Sequence, residues 1–483
     1  MTALRVLSVA SEAVPLIKTG GLADVVGALP AALAGEQVEM TTLVPGYPAV
    51  MQAIGKGRKV AEFDSLLGER ARLVSARLDD GRKLLVLDAP AYFARDGGPY
   101  GDGSGADWPD NWRRFAALGK AAAELGAGRI GSRRFDLVHA HDWQAAMAPV
   151  YLRYGGKPLP TVLTIHNIAF QGYFGAEIFP RLELPDAAWS LDGVEFHNGV
   201  GMLKAGLVSA GAITTVSPSY AQEIHTARFG MGLDGVIRSR THLVSGILNG
   251  IDREEWNPRA DPLLARPFGR SSLAARKANK RAVEKEFALD RDDGPLFIVV
   301  SRLTWQKGMD VLLEAIDHLA GLGGRLALLG SGDRAIELEL HAAAARHPGR
   351  IAVHIGYNEP LSHLMQAGGD AILVPSRFEP CGLTQLYGLA YGCVPVVART
   401  GGLADTIIDA NPAALQAGTA TGVVFGEASY DQLSLAISRA IRLYHEHKAW
   451  HRIQRNGMGA DFGWQRSAAA YAALYRSLVE GRE

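Results

Sequence analysis

Charged residues stand where several apolar segments of this sequence end. Residues 18–25, KTGGLADV, follow the apolar run VLSVA and lead into a helical pattern, with Lys18 opening the loop. A glycine-bearing loop before a helix exposes backbone N–H groups that bind anions, and a lysine adds a charge suited to phosphate. A simple βα turn explains the loop equally well, so its role depends on the rest of the chain.

Two cations occupy the segment 301–310, SRLTWQKGMD. Arg302 leaves the end of a predicted strand, and Lys307 follows five residues later in a loop that opens a helix. Two cations converging at one strand end suit a pyrophosphate. Ordinary surface charge is the alternative, and it fits less well because we expect this loop to face a cleft.

The segment 375–392, PSRFEPCGLTQLYGLAYG, combines a carboxylate with an unusual turn. Glu379 stands at a strand end, and Pro380 and Gly382 shape a turn that exposes backbone N–H groups at 381–384. The carboxylate can hold sugar hydroxyls while the amides bind a phosphate. A helix-capping acid, the simpler interpretation of Glu379, does not explain so elaborate a turn.

The segment 139–145, HAHDWQA, raises the question of a metal site, because two histidines stand beside an aspartate. We assign His139 and His141 to opposite faces of their strand, which argues against a shared metal ion. Asp142 and Trp143 follow at the carboxyl end of the strand, where they suit hydroxyl binding and sugar stacking. A helix N-cap aspartate and a packed indole explain the same two residues equally well.

The next predicted strand, in LTIHNIAFQG (163–172), ends with His166 and Asn167. An isolated histidine is usually a satisfied structural residue. Its position at a strand end facing a cleft makes a role in ligand binding an equal alternative.

Two familiar motifs are present only in part. GSGDRA (330–335) matches a loose dinucleotide fingerprint, but the next strand ends in Gly356 and Tyr357 rather than in the acid that binds a ribose. Asp290 and Asp292 form an Asp-x-Asp pair, a pattern with which some sugar transferases hold a divalent metal ion. Here the pair lies in a charged loop before a strand, and a solvated turn is the better interpretation. The sequence also lacks the P-loop pattern G-x-x-x-x-G-K-[ST]. An NAD enzyme and a P-loop NTPase are therefore not indicated.

Apolar strand-like runs alternate with helical segments along the whole chain, which predicts an α/β protein with mainly parallel sheets. Between Glu254 and about Pro295 the alternation breaks down, and we place an inter-domain segment and the first helix of a second domain there. Two Rossmann-like domains facing across a cleft are the predicted architecture. The strands are predicted at 5–10, 39–45, 83–90, 135–141, 160–167, 212–217 and 245–252, and then at 295–303, 324–333, 350–357, 370–380, 394–400 and 421–425.

The bulk composition is that of an ordinary globular protein. The 483 residues include 50 Lys and Arg and 50 Asp and Glu, so the net charge of zero suggests neither a nucleic-acid nor a membrane partner. No apolar run approaches the roughly 20 residues of a membrane helix, and the N-terminus does not resemble a signal peptide. The two cysteines, Cys381 and Cys393, have no CxxC spacing and fit a reducing cytoplasm.

The hexapeptide TGGLAD occurs twice, at 19–24 and at 400–405, with Arg399 before the second copy in place of Lys18. The repeat suggests two related βα units, one in each domain, but it is too short to prove duplication.

Taken together and in this order, KTGGLADV, HAHDW, THN, SRLTWQKG and PSRFEPCGLTQLYG resemble the bacterial glycogen synthases and plant starch synthases over essentially the whole chain. The resemblance implies the GT-B fold, with two Rossmann-like domains and a C-terminal helix that crosses back to the first domain. It also implies transfer of glucose from ADP-glucose to the non-reducing end of an α-1,4-glucan, with retention of configuration and with neither a metal nor another cofactor. The implied domains are 1–253 on the acceptor side, 254–456 for the nucleotide sugar, and a terminal helix at 457–483.

The same resemblance assigns the site residues. Those implied to be catalytic are Glu379, His166, Lys18, Arg302 and Lys307. Those implied to bind the diphosphate are Lys18, the backbone of Gly20 and Gly21, Arg302, Lys307, and amides near Leu383 and Thr384. Tyr357 is expected to stack on adenine, and Glu379, with amides at Cys381 and Gly382, to bind the glucose 3-hydroxyl. The remaining assignments are His166 and Asn249 at the 6-hydroxyl, Asp142, Trp143 and Tyr100 on the acceptor side, and Asp24 in the Lys18 loop.

One position departs from the wider group of retaining GT-B enzymes, which often has two glutamates separated by seven residues. Tyr387 stands at the second position, as in the synthase branch, and this puts a ribose contact there in doubt. We expect the cleft to close on substrate, with hinges near 250–256 and Gly457. A GT-B transferase that uses UDP-glucose or another acceptor is the alternative enzyme. A silent glucan-binding protein is the alternative outside enzymes, although Lys18, Arg302, Lys307 and Glu379 are all present.

Overall fold

The computed structural model describes residues 3–157 and 159–481. The chain forms two compact units: the first extends to Gly250 and resumes at Trp464, and the second spans Ile251–Gly463. Each unit has its own large sheet and its own buried apolar side chains. Within the described residues, no helix is both long enough and apolar enough to cross a membrane.

The first unit is built on a nine-stranded sheet. The strands of this unit, including three that form a small separate sheet, are β1 (Leu4–Val9), β2 (Val38–Pro45), β3 (Arg58–Leu66), β4 (Glu69–Arg77), β5 (Lys83–Asp88), β6 (Leu137–His141), β7 (Thr161–Ile165), β8 (Tyr173–Gly175), β9 (Glu195–Phe196), β10 (Gly199–Gly201), β11 (Ala212–Thr215) and β12 (Val244–Gly246). Its first nine helices are α1 (Gly21–Ala34), α2 (Pro48–Ile54), α3 (Pro90–Phe93), α4 (Asn111–Gly126), α5 (Asp142–Ala145), α6 (Met147–Tyr154), α7 (Met202–Ser209), α8 (Pro218–Glu223) and α9 (Asp234–Ser239), with 3₁₀ turns at Ala176–Arg181, Asp186–Ala188 and Thr241–Leu243.

The sheet order is β12-β11-β7-β6-β1-β2-β5-β4-β3. The strands from β12 to β5 pair in parallel, and their side chains are largely buried because helices cover both faces. The parallel order brings the carboxyl ends of β1, β6 and β7 to one edge, next to the segments that carry candidate site residues.

Five short or antiparallel strands were not predicted. β3 and β4 pair antiparallel at one edge of the sheet, and β8, β10 and β9 form a small separate sheet. The sequence of β3, RKVAEFDSL, is mostly exposed, with only Phe63 and Leu66 buried. Charged residues of this kind are typical of edge strands. Because β3 contains no continuous apolar run, the sequence did not indicate a strand there.

The second unit has six parallel strands, in the order β15-β14-β13-β16-β17-β18, all at predicted places. They are β13 (Leu296–Val300), β14 (Arg325–Gly330), β15 (Ile351–Ile355), β16 (Ala371–Val374), β17 (Val394–Ala398) and β18 (Val423–Phe425). The helices are α10 (Arg276–Glu286), α11 (Met309–Gly321), α12 (Arg334–Arg346), α13 (Glu359–Gly368), α14 (Thr384–Tyr391), α15 (Gly401–Thr406), α16 (Pro412–Ala417), α17 (Tyr430–His445) and α18 (His447–Gly459), with 3₁₀ turns at Leu273–Ala275 and Trp305–Lys307.

The last helix, α19 (Trp464–Glu480), belongs to the first unit. Its buried residues Tyr471 and Tyr475 pack in one apolar cluster with Leu29 and Leu33 of α1, and the Ser467 hydroxyl donates to the carbonyl of Leu248. The predicted α/β class and the return of the terminal helix to the first unit are both confirmed.

Candidate active site

The Lys18 loop ends at the start of α1. The Lys18 ammonium donates to Asp24 Oδ1 at 2.8 Å, and Asp24 lies in the first turn of the helix. Gly20 is the N-cap and is extended, so no side chain caps this helix. The loop therefore places a cation beside a helix N-terminus that has no side-chain cap at its N-cap residue.

A buried carboxylate that sequence analysis missed holds this loop. Glu12 is 2% exposed and accepts hydrogen bonds from the Thr19 backbone, from the Thr19 hydroxyl at 2.6 Å and from the Tyr100 hydroxyl. Burial, reinforced by the Glu12 charge, raises the pKa of Tyr100 well above its ordinary value, so Tyr100 stays a neutral donor. Glu12 thus joins Tyr100 to the Lys18 loop. Its position as an acid within an apolar N-terminal segment is the sequence feature that could have indicated this role.

The two histidines of β6 lie side by side, and the prediction that they face opposite ways is wrong. Their ring centroids are 4.1 Å apart, because residues two apart on a strand point to the same face. His141 Nδ1 lies 3.0 Å from His166 Nε2, and its Nε2 lies 3.2 Å from the Ser8 hydroxyl. His139 bonds Tyr475 of α19 at 2.7 Å. The three histidines form one buried cluster, in which both nitrogens of His139 and His141 and Nε2 of His166 bond to protein groups.

Burial determines the charge of this cluster. It lowers the pKa of His139 to about 3 and that of His166 to about 3. Burial, together with the neighbouring histidines, lowers the pKa of His141 well below its ordinary value. All three imidazoles are therefore neutral at pH 7, and His166 can offer hydrogen bonds but no charge.

Asp142 fixes the end of β7 and does not cap a helix. Its Oδ1 accepts from the backbone N–H of His166 at 2.7 Å and of Asn167 at 3.4 Å, whereas the N-cap of α5 is His141. Asp142 has φ of 54°, a left-handed conformation that aspartate adopts more readily than most residues other than glycine. Burial raises the pKa of Asp142 to about 7. Asp142 therefore positions His166.

Trp143 is a packed indole. It is 8% exposed and contacts Phe115 edge-to-face at 5.0 Å. A Cβ at Gly172 would lie only 2.2 Å from the Trp143 ring, so the backbone there covers one face of the indole. Tyr100 packs beside the same Phe115 at 6.0 Å. Trp143 therefore belongs to the core of the first unit, and Tyr100 is partly buried against it.

Asn249 lies beyond β12 and is 6% exposed. Its side-chain oxygen has no hydrogen-bond partner within the part of the chain that the structure describes. A buried amide oxygen without a protein partner is costly, and ligand binding is one reason to retain it.

In the second unit, Lys307 and Glu379 form an ion pair. Lys307 Nζ donates to Glu379 Oε2 at 2.5 Å, and the Ser376 hydroxyl donates to the same oxygen at 2.8 Å. The Glu379 side chain is 7% exposed and that of Lys307 is 17% exposed. Arg302 follows β13 and is exposed, and its guanidinium makes no ion pair within residues 3–157 and 159–481.

The second TGGLAD copy supports the Glu379 loop, a role that the sequence did not reveal. Gly402 N donates to the carbonyl of Glu379 at 3.1 Å. Gly401 has φ of 43°, and a Cβ there would lie 2.0 Å from the same carbonyl oxygen. Glycine is therefore required at Gly401 by both conformation and space.

The remaining predicted residues of this unit stand at two strand ends. Tyr357 follows β15, is 74% exposed, and its hydroxyl donates to Glu359. Cys381 is buried, Gly382 has φ of 72°, Leu383 is the N-cap of α14, and Thr384 begins that helix. The departure at Tyr387 is a packing contact, since its ring stacks on Trp256 at 3.6 Å.

The sequence and the fold resemble those of known proteins. Residues 5–239 match the starch synthase catalytic domain family, and residues 280–457 match the glycosyl transferases group 1 family. A glycogen synthase of Novosphingobium aromaticivorans is 66% identical over 480 residues, which are 99% of each chain. The chain belongs to the glycogen synthase family. Glycogen synthase 1 of Rhizobium radiobacter is 59% identical over 480 residues, again 99% of each chain.

Solved structures show that this member of the glycogen synthase family shares its fold with other sugar transferases. The catalytic domain of starch synthase IV from Arabidopsis thaliana, bound to ADP and acarbose, superposes with a TM-score of 0.88 at 30% identity, covering 99% of this chain and 100% of that one. Sucrose-phosphate synthase from Thermosynechococcus elongatus, at 16% identity and a TM-score of 0.61 over 99% and 100% of the chains, shares the fold alone. The predicted family and GT-B fold class are confirmed, and the chain is a glycosyltransferase of glycogen synthesis.

Proposed function

We propose that this chain transfers glucose from ADP-glucose to the non-reducing end of an α-1,4-glucan with retention of configuration. The observation that carries the proposal is the Lys307–Glu379 pair at the carboxyl ends of β13 and β16, since ligands of open parallel sheets bind at those ends. ADP in the solved starch synthase IV supports an adenine nucleotide as donor.

In the second unit, Arg302 and Lys307 neutralise the diphosphate. ADP gains negative charge as the C1–O bond breaks, so cations and amides already in place stabilise the transition state. Backbone N–H groups near Leu383 and Thr384 add to this stabilisation. Tyr357, exposed at the end of β15, stacks on adenine.

Glu379 binds the glucose 3-hydroxyl, with amides at Cys381 and Gly382. Its Oε2 already accepts from Lys307 and Ser376, which leaves Oε1 for the sugar. The carbon under attack becomes oxocarbenium-like, and a fixed carboxylate keeps the ring in one orientation.

In the first unit, Lys18 and the backbone of Gly20 and Gly21 bind the diphosphate, with Asp24 holding Lys18. His166, neutral and oriented by His141 and Asp142, binds the 6-hydroxyl side of glucose. Asn249 joins it there through the amide oxygen that has no partner in the described residues.

Tyr100, Asp142 and Trp143 form the acceptor side. Glu12 and Asp142 fix its polar groups, and the core around Phe115 fixes its rings. The two buried cysteines are compatible with a reducing cytoplasm as the site of this reaction.

A direct assay tests the proposal. The purified chain is given radiolabelled ADP-glucose or UDP-glucose with glycogen, each with and without EDTA, and label in precipitated glucan is counted. We expect transfer from ADP-glucose that survives EDTA. Transfer from UDP-glucose alone would support the alternative donor, and no transfer from either would overturn the enzyme assignment.

A further inference from the structure

Three potential metal ligands meet in the second unit, and neither Lys307 nor Glu379 is among them. One ligand atom each from Glu255, Glu359 and His363 lies within 4.8 Å of the others. Glu359 and His363 are four residues apart on α13, so they share a face of the helix. Glu255 comes from the segment that precedes α10. The sequence analysis did not single out this group.

The imidazole of His363 is held ready to bind an ion. Its Nδ1 lies 2.8 Å from Asp261 Oδ2. Because a carboxylate only accepts, Nδ1 carries the proton and Nε2 keeps its lone pair. His363 is 3% exposed, yet in the described part of the chain Nε2 has no hydrogen-bond partner. The free lone pair of this largely buried side chain, with the two carboxylates close by, is the observation that points to a ligand.

Surrounding groups fix the orientation of that ring. The Tyr391 hydroxyl donates to the same Asp261 oxygen at 2.5 Å. Trp256 stacks on His363 with centroids 3.8 Å apart and planes 19° apart. A carboxylate behind a ligating histidine is the usual outer support of a protein metal site, and it raises the basicity of the ligand.

We propose that Glu255, Glu359 and His363 bind one divalent transition-metal ion, of the class of Zn²⁺ or Co²⁺. One imidazole nitrogen and two carboxylates match the preferences of such ions, whereas Mg²⁺ and Ca²⁺ prefer oxygen ligands alone. The ion offsets the repulsion between the two carboxylates and ties the start of the second unit to α13. Glu359 also accepts from the hydroxyl of Tyr357. None of the three ligands is itself assigned to glucosyl transfer, so activity without metal does not contradict the site.

Cobalt binding tests the site directly. Tag-free full-length protein is stripped with EDTA, desalted and titrated with Co²⁺, with visible absorption as the readout, and Zn²⁺ is then added as a competitor. We expect one equivalent of Co²⁺ per chain, with a ligand-field spectrum that Zn²⁺ abolishes. A spectrum of hexaaqua Co²⁺ throughout the titration would overturn the proposal.

Five variants make the test specific. Glu255→Gln and Glu359→Gln should each weaken Co²⁺ binding at least tenfold, and Asp261→Asn should weaken it about 10- to 100-fold. Glu254→Gln is the matched control, because Glu254 is an exposed neighbour outside the cluster, and it should bind as the unchanged protein does. The double variant Glu255→Gln/Glu359→Gln should lose the rise in Tm that Zn²⁺ gives the unchanged protein. Unchanged affinity in that double variant would assign the ion elsewhere and refute the site.

Discussion

Lys307 and Glu379 are paired at 2.5 Å, although 72 residues separate them in the sequence. The loop after β13 supplies the cation and the loop after β16 supplies the carboxylate, and these two strands are neighbours in the sheet. Both side chains are mostly buried. Each neutralises the other, so the proposed phosphate ligand and the proposed sugar ligand depend on one another for position.

Separating this pair should affect stability and activity differently. Lys307→Met leaves the Glu379 carboxylate without its cation, and we expect a loss of about 3 kcal/mol in unfolding free energy and at least about 100-fold in kcat/KM. The double variant Lys307→Met/Glu379→Leu should recover much of the stability and none of the activity. Urea unfolding and initial rates measure the two effects, with Lys285→Met as an exposed control. A double variant with restored turnover would show that neither residue takes part in transfer.

The second TGGLAD copy should be needed for the Glu379 loop. Gly401→Ala places a Cβ against the Glu379 carbonyl at a positive φ, so we expect a loss of about 1–3 kcal/mol and a further drop in kcat. Gly321→Ala is the matched control, because Gly321 ends α11 with open space around its Cα, and it should be neutral or slightly stabilising. Tm and kcat are measured for both, and equal behaviour of the two variants would refute the role of Gly401.

Tyr357 should matter for donor binding rather than for folding. Its ring is 74% exposed, so Tyr357→Ala should leave Tm unchanged. Stacking on a base contributes about 1–3 kcal/mol, so KM for ADP-glucose should rise about tenfold or more while kcat changes less. Tyr430→Ala, at another exposed tyrosine of the same unit (42% exposed), is the control and should leave KM unchanged. A KM in Tyr357→Ala equal to that of the control would remove the stacking assignment.

The histidine cluster predicts that acid destabilises the first unit. The pKa values of His139, His141 and His166 lie below the ordinary 6.5, so the unfolded chain binds more protons and stability falls as the pH drops below about 6.5. Asp142 acts in the opposite sense, because its pKa of about 7 is above the ordinary 3.8 and its protonation favours the folded state between those values. Because three histidines lower the unfolding free energy in acid and only Asp142 raises it, we expect the first unit to be less stable at acidic pH.

Unfolding free energies measured in urea from pH 7.5 to 5.0 check this expectation. His141→Asn should reduce the slope by about 1.4 kcal/mol per pH unit below about pH 6, whatever its effect on absolute stability. An exposed histidine provides the control: His341→Asn on α12 should leave the slope unchanged. A slope in His141→Asn equal to that of the unchanged protein would mean that His141 is not buried in its neutral form.

The sequence by itself determined the chain of elements and the location of the candidate groups. Buried parallel strands are continuous apolar runs, so all the predicted strands appear, and the residues at their carboxyl ends meet at one edge of each sheet. Lys18, Arg302, Lys307 and Glu379 could be singled out for that reason. The exposed edge strand β3 could not be found in this way, because its pattern is that of a polar segment.

Only the tertiary structure decided which groups touch. It paired Lys307 with Glu379, placed Glu12 under the Lys18 loop, and set the second TGGLAD copy against the Glu379 carbonyl. It also buried the histidine cluster, which lowers the pKa values and leaves the rings neutral. These relationships join residues far apart in the sequence, and desolvation depends on everything packed around a group, so no local pattern of residues encodes them.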